Sequence, residues 1–255
     1  MKGQRKNAQM LLEGFTLADM EDEAIAYLQE HEPAEGYEVG FSGGKDSIVT
    51  LDIVRRAGVK HRAVFCMSYI DPPEVLKFIR KHYPYVEWRR PTKNIYEEIV
   101  KQGLPSWKHR WCCKVIKESG TAKNVVTGVR AEESRQRAAR TRTDVWEKRK
   151  RWMYKPIFHW QEWAVWEYIE KYSLPYPTLY DEGEGRIGCI VCPLSFGTSE
   201  AQHKRIERSK ARWPGVWRAY KKAAEKYYQR YSQGKDVYYP TFESLWQAFL
   251  EGFRR

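Results

Sequence analysis

Apolar positions recur along this chain with two alternating periods, and the alternation predicts the architecture. Thr16 is placed to cap a helix in which Leu17, Met20, Ala24, Tyr27 and Leu28 fall at helical spacing, so residues 1–31 read as a leading helix. A short apolar run at Val39 and Phe41 gives way to two glycines, then to a second helical pattern carried by Ile48, Leu51, Ile53 and Val54. The run AVFCM at 63–67 reads as a strand, Pro73 can open a helix to about Tyr83, and a third strand near 86–89 precedes a helix over 95–101. After an irregular stretch, LPSWKHRWCCKVIK, the pattern resumes with strands at 124–128 and 155–158 and a helix over 161–172. This order implies an α/β fold: a mainly parallel five-stranded sheet with helices on both faces. Three consecutive parts are expected: a helical segment 1–35, a sheet domain 36–198, and a helical, basic and aromatic extension 199–255.

The most constrained chemistry is local. Ser42, Gly43, Gly44, Lys45, Asp46 and Ser47 stand between the first strand and the next helix. Glycines let backbone approach a ligand closely, and the first amides of a helix lack intrahelical partners, so such a turn cradles an anion, here a phosphate. A Walker A loop is excluded: Val39 stands where its first glycine belongs, and Asp46 where it needs Ser or Thr. Asp71 and Glu74 follow a strand end, where ligands collect in parallel sheets, and are candidates to face a nucleotide; helix capping is the plain alternative. Arg130 and Arg137 follow the fourth strand end and offer guanidinium groups to phosphate. The basic stretch 130–155 reads as a nucleotide or nucleic-acid contact surface, or else as a solvated loop.

Composition widens the range of partners. The 255 residues carry a net charge of +12 with 11 Trp and 17 Tyr, which suits phosphate neutralisation and base stacking on a tRNA or DNA; a soluble protein with a few basic residues around an ordinary site is the alternative. No apolar run reaches membrane-spanning length and no signal peptide is recognisable, so a cytoplasmic protein without a membrane partner is expected. In a reducing compartment its 5 cysteines argue for metal or reactivity rather than disulfides. Cys66 lies in an apolar strand and reads as a buried small hydrophobe. Cys112 and Cys113, in a basic setting that favours thiolates, combine with the later pair Cys189 and Cys192 into a four-thiolate set for structural zinc or a [4Fe–4S] cluster.

The hexapeptide SGGKDS resembles the PP-loop of the ATP pyrophosphatase superfamily. Together with WCCK, TGVRAEESRQR, KPIFHW and LPYPTLYDEGEGRIGCIVCP it resembles the phosphoadenosine phosphosulfate (PAPS) reductase family, iron-sulfur branch, over residues from about Val39 to Pro193. The resemblance implies an adenine nucleotide alpha hydrolase-like fold. It also implies a [4Fe–4S] cluster on Cys112, Cys113, Cys189 and Cys192, with zinc as the alternative, and phosphates held by residues 42–47 with Arg130 and Arg137. Two departures shape the functional expectation. Family reductases use a cysteine near the C-terminus, whereas no cysteine follows Cys192 here; they often carry a degraded loop, whereas Lys45 and Asp46 are both in place. The leading expectation is therefore ATP- and Mg²⁺-dependent adenylylation coupled to sulfur transfer onto nucleic acid, with a sulfur-donor protein, in which Lys45, Asp46 and Arg130 are catalytic. The alternatives are a PAPS or adenosine phosphosulfate (APS) reductase using an external thiol, and a non-catalytic nucleic-acid-binding protein.

Overall fold

Parallel strand pairs need crossovers, and the chain supplies them with helices. A computed structural model describes residues 16–117, 120–147, 150–234 and 237–253; residues 1–15 of the expected leading segment lie outside the described residues. Thr16 caps α1 (Leu17–Glu30) in a reciprocal capping box with Asp19. Then come β1 (Tyr37–Gly40), α2 (Lys45–Arg56), β2 (His61–Cys66), α3 (Pro73–His82), β3 (Glu87–Arg89), α4 (Ile95–Gln102), β4 (Asn124–Val126), β5 (Thr143–Trp146), β6 (Arg151–Tyr154) and α5 (Glu162–Lys171). The helices α6 (Glu200–Arg212), α7 (Pro214–Tyr231) and α8 (Phe242–Leu250) follow.

The sheet has six strands in the order β3-β2-β1-β4-β6-β5. β1 pairs in parallel with β2 and β4, β4 in parallel with β6, and β5 runs antiparallel to β6. The sixth strand, β5, corrects the expected five, and it falls in the basic stretch read as a contact surface. Charged side chains hide its pattern because the fold pairs them internally. Lys155, just past β6, is 1% exposed, and its ammonium donates to Asp144 Oδ2 on β5 at 2.7 Å and to the Thr141 carbonyl at 2.7 Å. The last strand is also shifted, to Arg151–Tyr154 rather than 155–158.

The chain forms two compact units whose segments alternate along the sequence, a different grouping from three consecutive parts. The first holds the sheet with α1, α2 and α5, and is built from residues up to 65, 77–89 and 121–187. Its core includes Val39, Phe41, Ile48, Leu51, Ile53 and Tyr168, and the Tyr168 hydroxyl donates to Asp52 at 2.7 Å. Across its strands Glu38 of β1 accepts from Arg62 of β2 at 2.8 Å and from both terminal nitrogens of Arg89 of β3, at 2.8 and 2.6 Å. The second unit comprises residues 66–76, 90–120 and 188–255, so α4, α6, α7 and α8 share one core around Ile99, Trp111, Ile190, Trp217, Tyr220 and Phe249. No helix among the described residues is long and apolar enough to cross a membrane.

Candidate functional site

In the first unit, β1 runs into the 42–47 turn and α2 starts at Lys45. Gly43 takes φ +73°, the left-handed region that a side chain disfavours. The turn is braced from within: Ser42 N–H donates to Ser47 Oγ at 3.1 Å, Gly44 N–H to Ser42 Oγ at 3.3 Å, and Ser47 Oγ to the Gly44 carbonyl at 2.8 Å. Among the described residues, the amides of Gly43, Asp46 and Ser47 donate to no protein group. Gly128, just beyond β4, lies against this turn; a Cβ there would fall 2.6 Å from the Asp46 carbonyl oxygen and 2.9 Å from Thr50 Oγ1.

The charged loop residues are buried with partners. Lys45 is 4% exposed, its ammonium 3.2 Å from Glu162, 3.7 Å from Asp46 and 3.3 Å from the Gly185 carbonyl. Its own amide donates to the Tyr180 hydroxyl at 2.9 Å, and burial pushes that phenol up to about 12, so it stays neutral. Arg130, 3% exposed, donates from Nε to Asp46 at 2.6 Å, and from a terminal nitrogen to Glu132 at 2.6 Å and the Trp160 carbonyl at 3.3 Å. Arg130 therefore orients Asp46 and ties the loop to the segment after β4, a structural commitment the sequence did not disclose.

Further positive charge stands within electrostatic reach of this paired set. Arg137, on the short helical turn Arg135–Ala138, pairs with Glu133. Burial, reinforced by repulsion from Arg186 and Arg140, nonetheless pulls its guanidinium down to about 10. Asp46 acts on the same group in the opposite direction, which puts Arg137 within electrostatic reach of the loop. Sequence reasoning missed Tyr180, Glu162, Arg140 and Arg186. Only the glycine-punctuated run around Gly185 signalled that chain folds back near the loop.

The other predicted acids belong to the second unit. Asp71 is buried and accepts from the Ser68 amide at 2.5 Å, closing the turn before α3. Glu74 is held by Arg212 Nε at 2.9 Å and Trp213 Nε1 at 3.1 Å, so its carboxylate ties α3 to the junction of α6 and α7.

In the same unit the fold brings the two cysteine pairs together. Cys113 opens a π-helical turn, Cys113–Lys117. The Cys189–Cys192 segment is anchored by Ile190 N–H to the Ile70 carbonyl at 2.8 Å and by Ser195 N–H and Oγ to the Cys192 carbonyl at 3.0 and 2.7 Å. Cys112, Cys113, Cys189 and Cys192 line one cavity of about 30 Å³ walled by Ile70, Ile95, Ile116, Val191 and Tyr220. The Cys112 thiol is pushed far up, by its bond to Cys113, by burial, and by the nearby Cys113, Cys189 and Cys192 sulfurs. For Cys112 the hydrogen bond to Cys113 and then burial act against the thiolate that a basic setting was expected to favour. Among the described residues no group of three or more His, Cys, Asp and Glu is disposed to hold a metal ion. Cys66, expected to be buried, is half-buried at the end of β2.

The phosphoadenosine phosphosulfate reductase domain matches residues 37–195. An uncharacterized protein of Methanocaldococcus jannaschii is 30% identical over 217 residues, 77% of this chain and 43% of its own length. The chain thus spans under half of that relative. The adenosine 5'-phosphosulfate reductase of Staphylococcus haemolyticus is 28% identical over 172 residues, 62% of this chain and 71% of the enzyme. In fold, the chain resembles the PAPS reductase of Candida auris, solved with phosphate, at a TM-score of 0.51 and 20% identity over 71% of this chain and 91% of that one.

Proposed function

The chain belongs to the phosphoadenosine phosphosulfate reductase domain family, and on that premise we propose that it is an enzyme of the sulfonucleotide reductase type, binding APS or PAPS at the Ser42–Ser47 loop and releasing sulfite. The observation that carries the reading is the charge arrangement around the loop. Lys45 and Asp46 are neutralised within the protein, Arg140 and Arg186 repel the Arg137 guanidinium that Asp46 attracts, and the Gly43, Asp46 and Ser47 amides donate to no protein group among the described residues. Such a rim suits a ligand with several anionic groups. The Gly43, Asp46 and Ser47 amides would hold a phosphate, Arg137 and Arg186 would neutralise the phosphosulfate or a second phosphate, and Arg130 would keep Asp46 in place. Lys45 would stabilise charge developing on the nucleotide as the sulfur departs. The two electrons come from an external dithiol: one thiolate attacks the sulfonyl sulfur and displaces the nucleotide phosphate, and the second attacks the resulting S-sulfonate, releasing sulfite and leaving a disulfide.

The four-cysteine cavity supports a [4Fe–4S] cluster on Cys112, Cys113, Cys189 and Cys192. The donor set fits: four thiols line one apolar cavity, and a buried thiol sheds its proton readily only when a cationic group compensates the charge. Bound there, the cluster would supply a redox-active centre of delocalised charge.

A second reading, ATP-dependent adenylylation with sulfur transfer to nucleic acid, is favoured by the intact Lys45–Asp46 pair and by a groove of about 760 Å³ in the second unit. Trp107, Lys108 and Tyr238 line this groove, and Trp107 and Tyr238 are 45% and 60% exposed. One assay separates the two: anoxically purified protein is given sulfur-labelled APS or PAPS with a dithiol and, separately, α-labelled ATP with mixed tRNA or DNA. Sulfite with ATP untouched is the expected result. Nucleic-acid-dependent AMP and pyrophosphate establish the second reading, and no turnover of either substrate overturns both.

A further inference from the structure

We propose that the Tyr220 hydroxyl donates a hydrogen bond to a sulfur of the group held by Cys112, Cys113, Cys189 and Cys192 and raises that group's reduction potential. The proposal rests on the cluster reading above. Tyr220 lies on α7, beyond the 37–195 segment that matches the family. Its side chain is 0% exposed and it walls the four-cysteine cavity. Its ring stacks on Phe249 of α8, centroids 5.6 Å apart and planes 14° apart, which fixes where the hydroxyl points.

That hydroxyl has no hydrogen-bond partner among the described residues. A buried hydroxyl left unpaired carries its full desolvation cost, and a phenylalanine would fill the same space without it. Apart from Ser68, whose hydroxyl accepts from Cys189 Sγ at 3.5 Å, the surrounding wall is apolar, with Ile95, Ile116 and Val191 at hand. Tyr220 lines the same cavity as Cys112, Cys113, Cys189 and Cys192, which places the phenol beside the thiols rather than elsewhere in the core. Negatively charged sulfur is the acceptor that a loaded cavity would offer. Donation to it withdraws electron density and favours the reduced state, so the potential rises.

The test uses the full chain purified without oxygen, wild type and Tyr220→Phe. Iron and sulfide content comes first, then the midpoint potential from a titration followed by electron paramagnetic resonance. We expect about four irons per chain in both proteins and a more negative midpoint in the variant. Equal iron with an unchanged midpoint overturns the role of Tyr220 and leaves the cluster standing. Stoichiometric zinc, or no metal, in the wild type overturns the cluster and this inference with it. Should the variant alone lose iron, the melting temperatures of the metal-free proteins decide. Tyr220→Phe melting above wild type means the hydroxyl is paired only when the group is bound; melting at or below it means the hydroxyl is not the reason, and overturns the proposal.

Discussion

The loop and the cysteine cavity bury polar chemistry in opposite ways. Around the loop each buried charge meets its complement: Lys45 meets Glu162, and Asp46 meets Arg130. In the cavity the thiols meet one another, the Ser68 hydroxyl and an otherwise apolar wall, the Cys112 thiol is pushed up, and the Tyr220 hydroxyl has no hydrogen-bond partner among the described residues. A site that satisfies itself keeps its shape before a ligand arrives, whereas a site that does not is completed by what it binds. The loop is therefore expected to be rigid, and the cavity to gain stability from the proposed cluster.

The sharpest way to break that contrast is to remove a thiol. Cys189→Ala or Cys112→Ala should abolish iron retention, measured by metal analysis, while calorimetry shows nucleotide affinity at the loop near the wild-type value. Loss of both would mean that the loop is not self-sufficient. The converse experiment has a comparably large effect on turnover. Lys45→Ala should lower activity by about 10²–10³-fold, the usual cost of removing one preorganised electrostatic group, with iron content unchanged.

Stability effects are smaller. Asp46→Ala leaves the buried Arg130 guanidinium short of a partner and should cost about 3 kcal/mol in denaturant unfolding. Gly128→Ala should cost about 1–3 kcal/mol, because its Cβ would meet backbone, the Asp46 carbonyl oxygen, rather than a side chain able to move. An Ala variant as stable as wild type would show that the turn can shift and is less rigid than the contrast requires.

The smallest effect lies at the far end of β1. Burial alone would raise the Glu38 pKa, but Arg89 and Arg62 outweigh it and hold the carboxyl below the usual range. A carboxylate with a depressed pKa contributes stability that is present above its unfolded value and lost as pH falls through the folded one. Melting temperature should therefore drop on acidification below about pH 4, and Glu38→Gln should flatten that part of the profile while lowering stability at neutral pH.

Much of the fold was legible in the sequence because its signals are short-range. The Thr16 cap, the helices α1 to α5 and the first four strands each follow from periodicity and turn residues within a dozen positions. The antiparallel strand β5 was not legible: its Asp144 is a partner for a lysine eleven residues away, and paired charges read as surface until the pairing is seen. Arg130 and Arg137 were found as guanidinium groups near a strand end. Which of them is committed to Asp46 and which stands in excess charge was decided by Glu132, Trp160, Arg140 and Arg186.

The sequence by itself determined the glycine turn at the start of α2, because such a turn needs only the residues that make it. It also identified the four cysteines as a set. Only the tertiary structure decided that Cys112 and Cys113 share one cavity with Cys189 and Cys192, that this cavity is apolar enough to hold a thiol proton, and that Tyr220 brings a hydroxyl to its wall. The physical reason is that burial and hydrogen-bond satisfaction belong to the groups that surround a side chain, and around this cavity those groups come from chain segments as far apart as Ile70 and Tyr220.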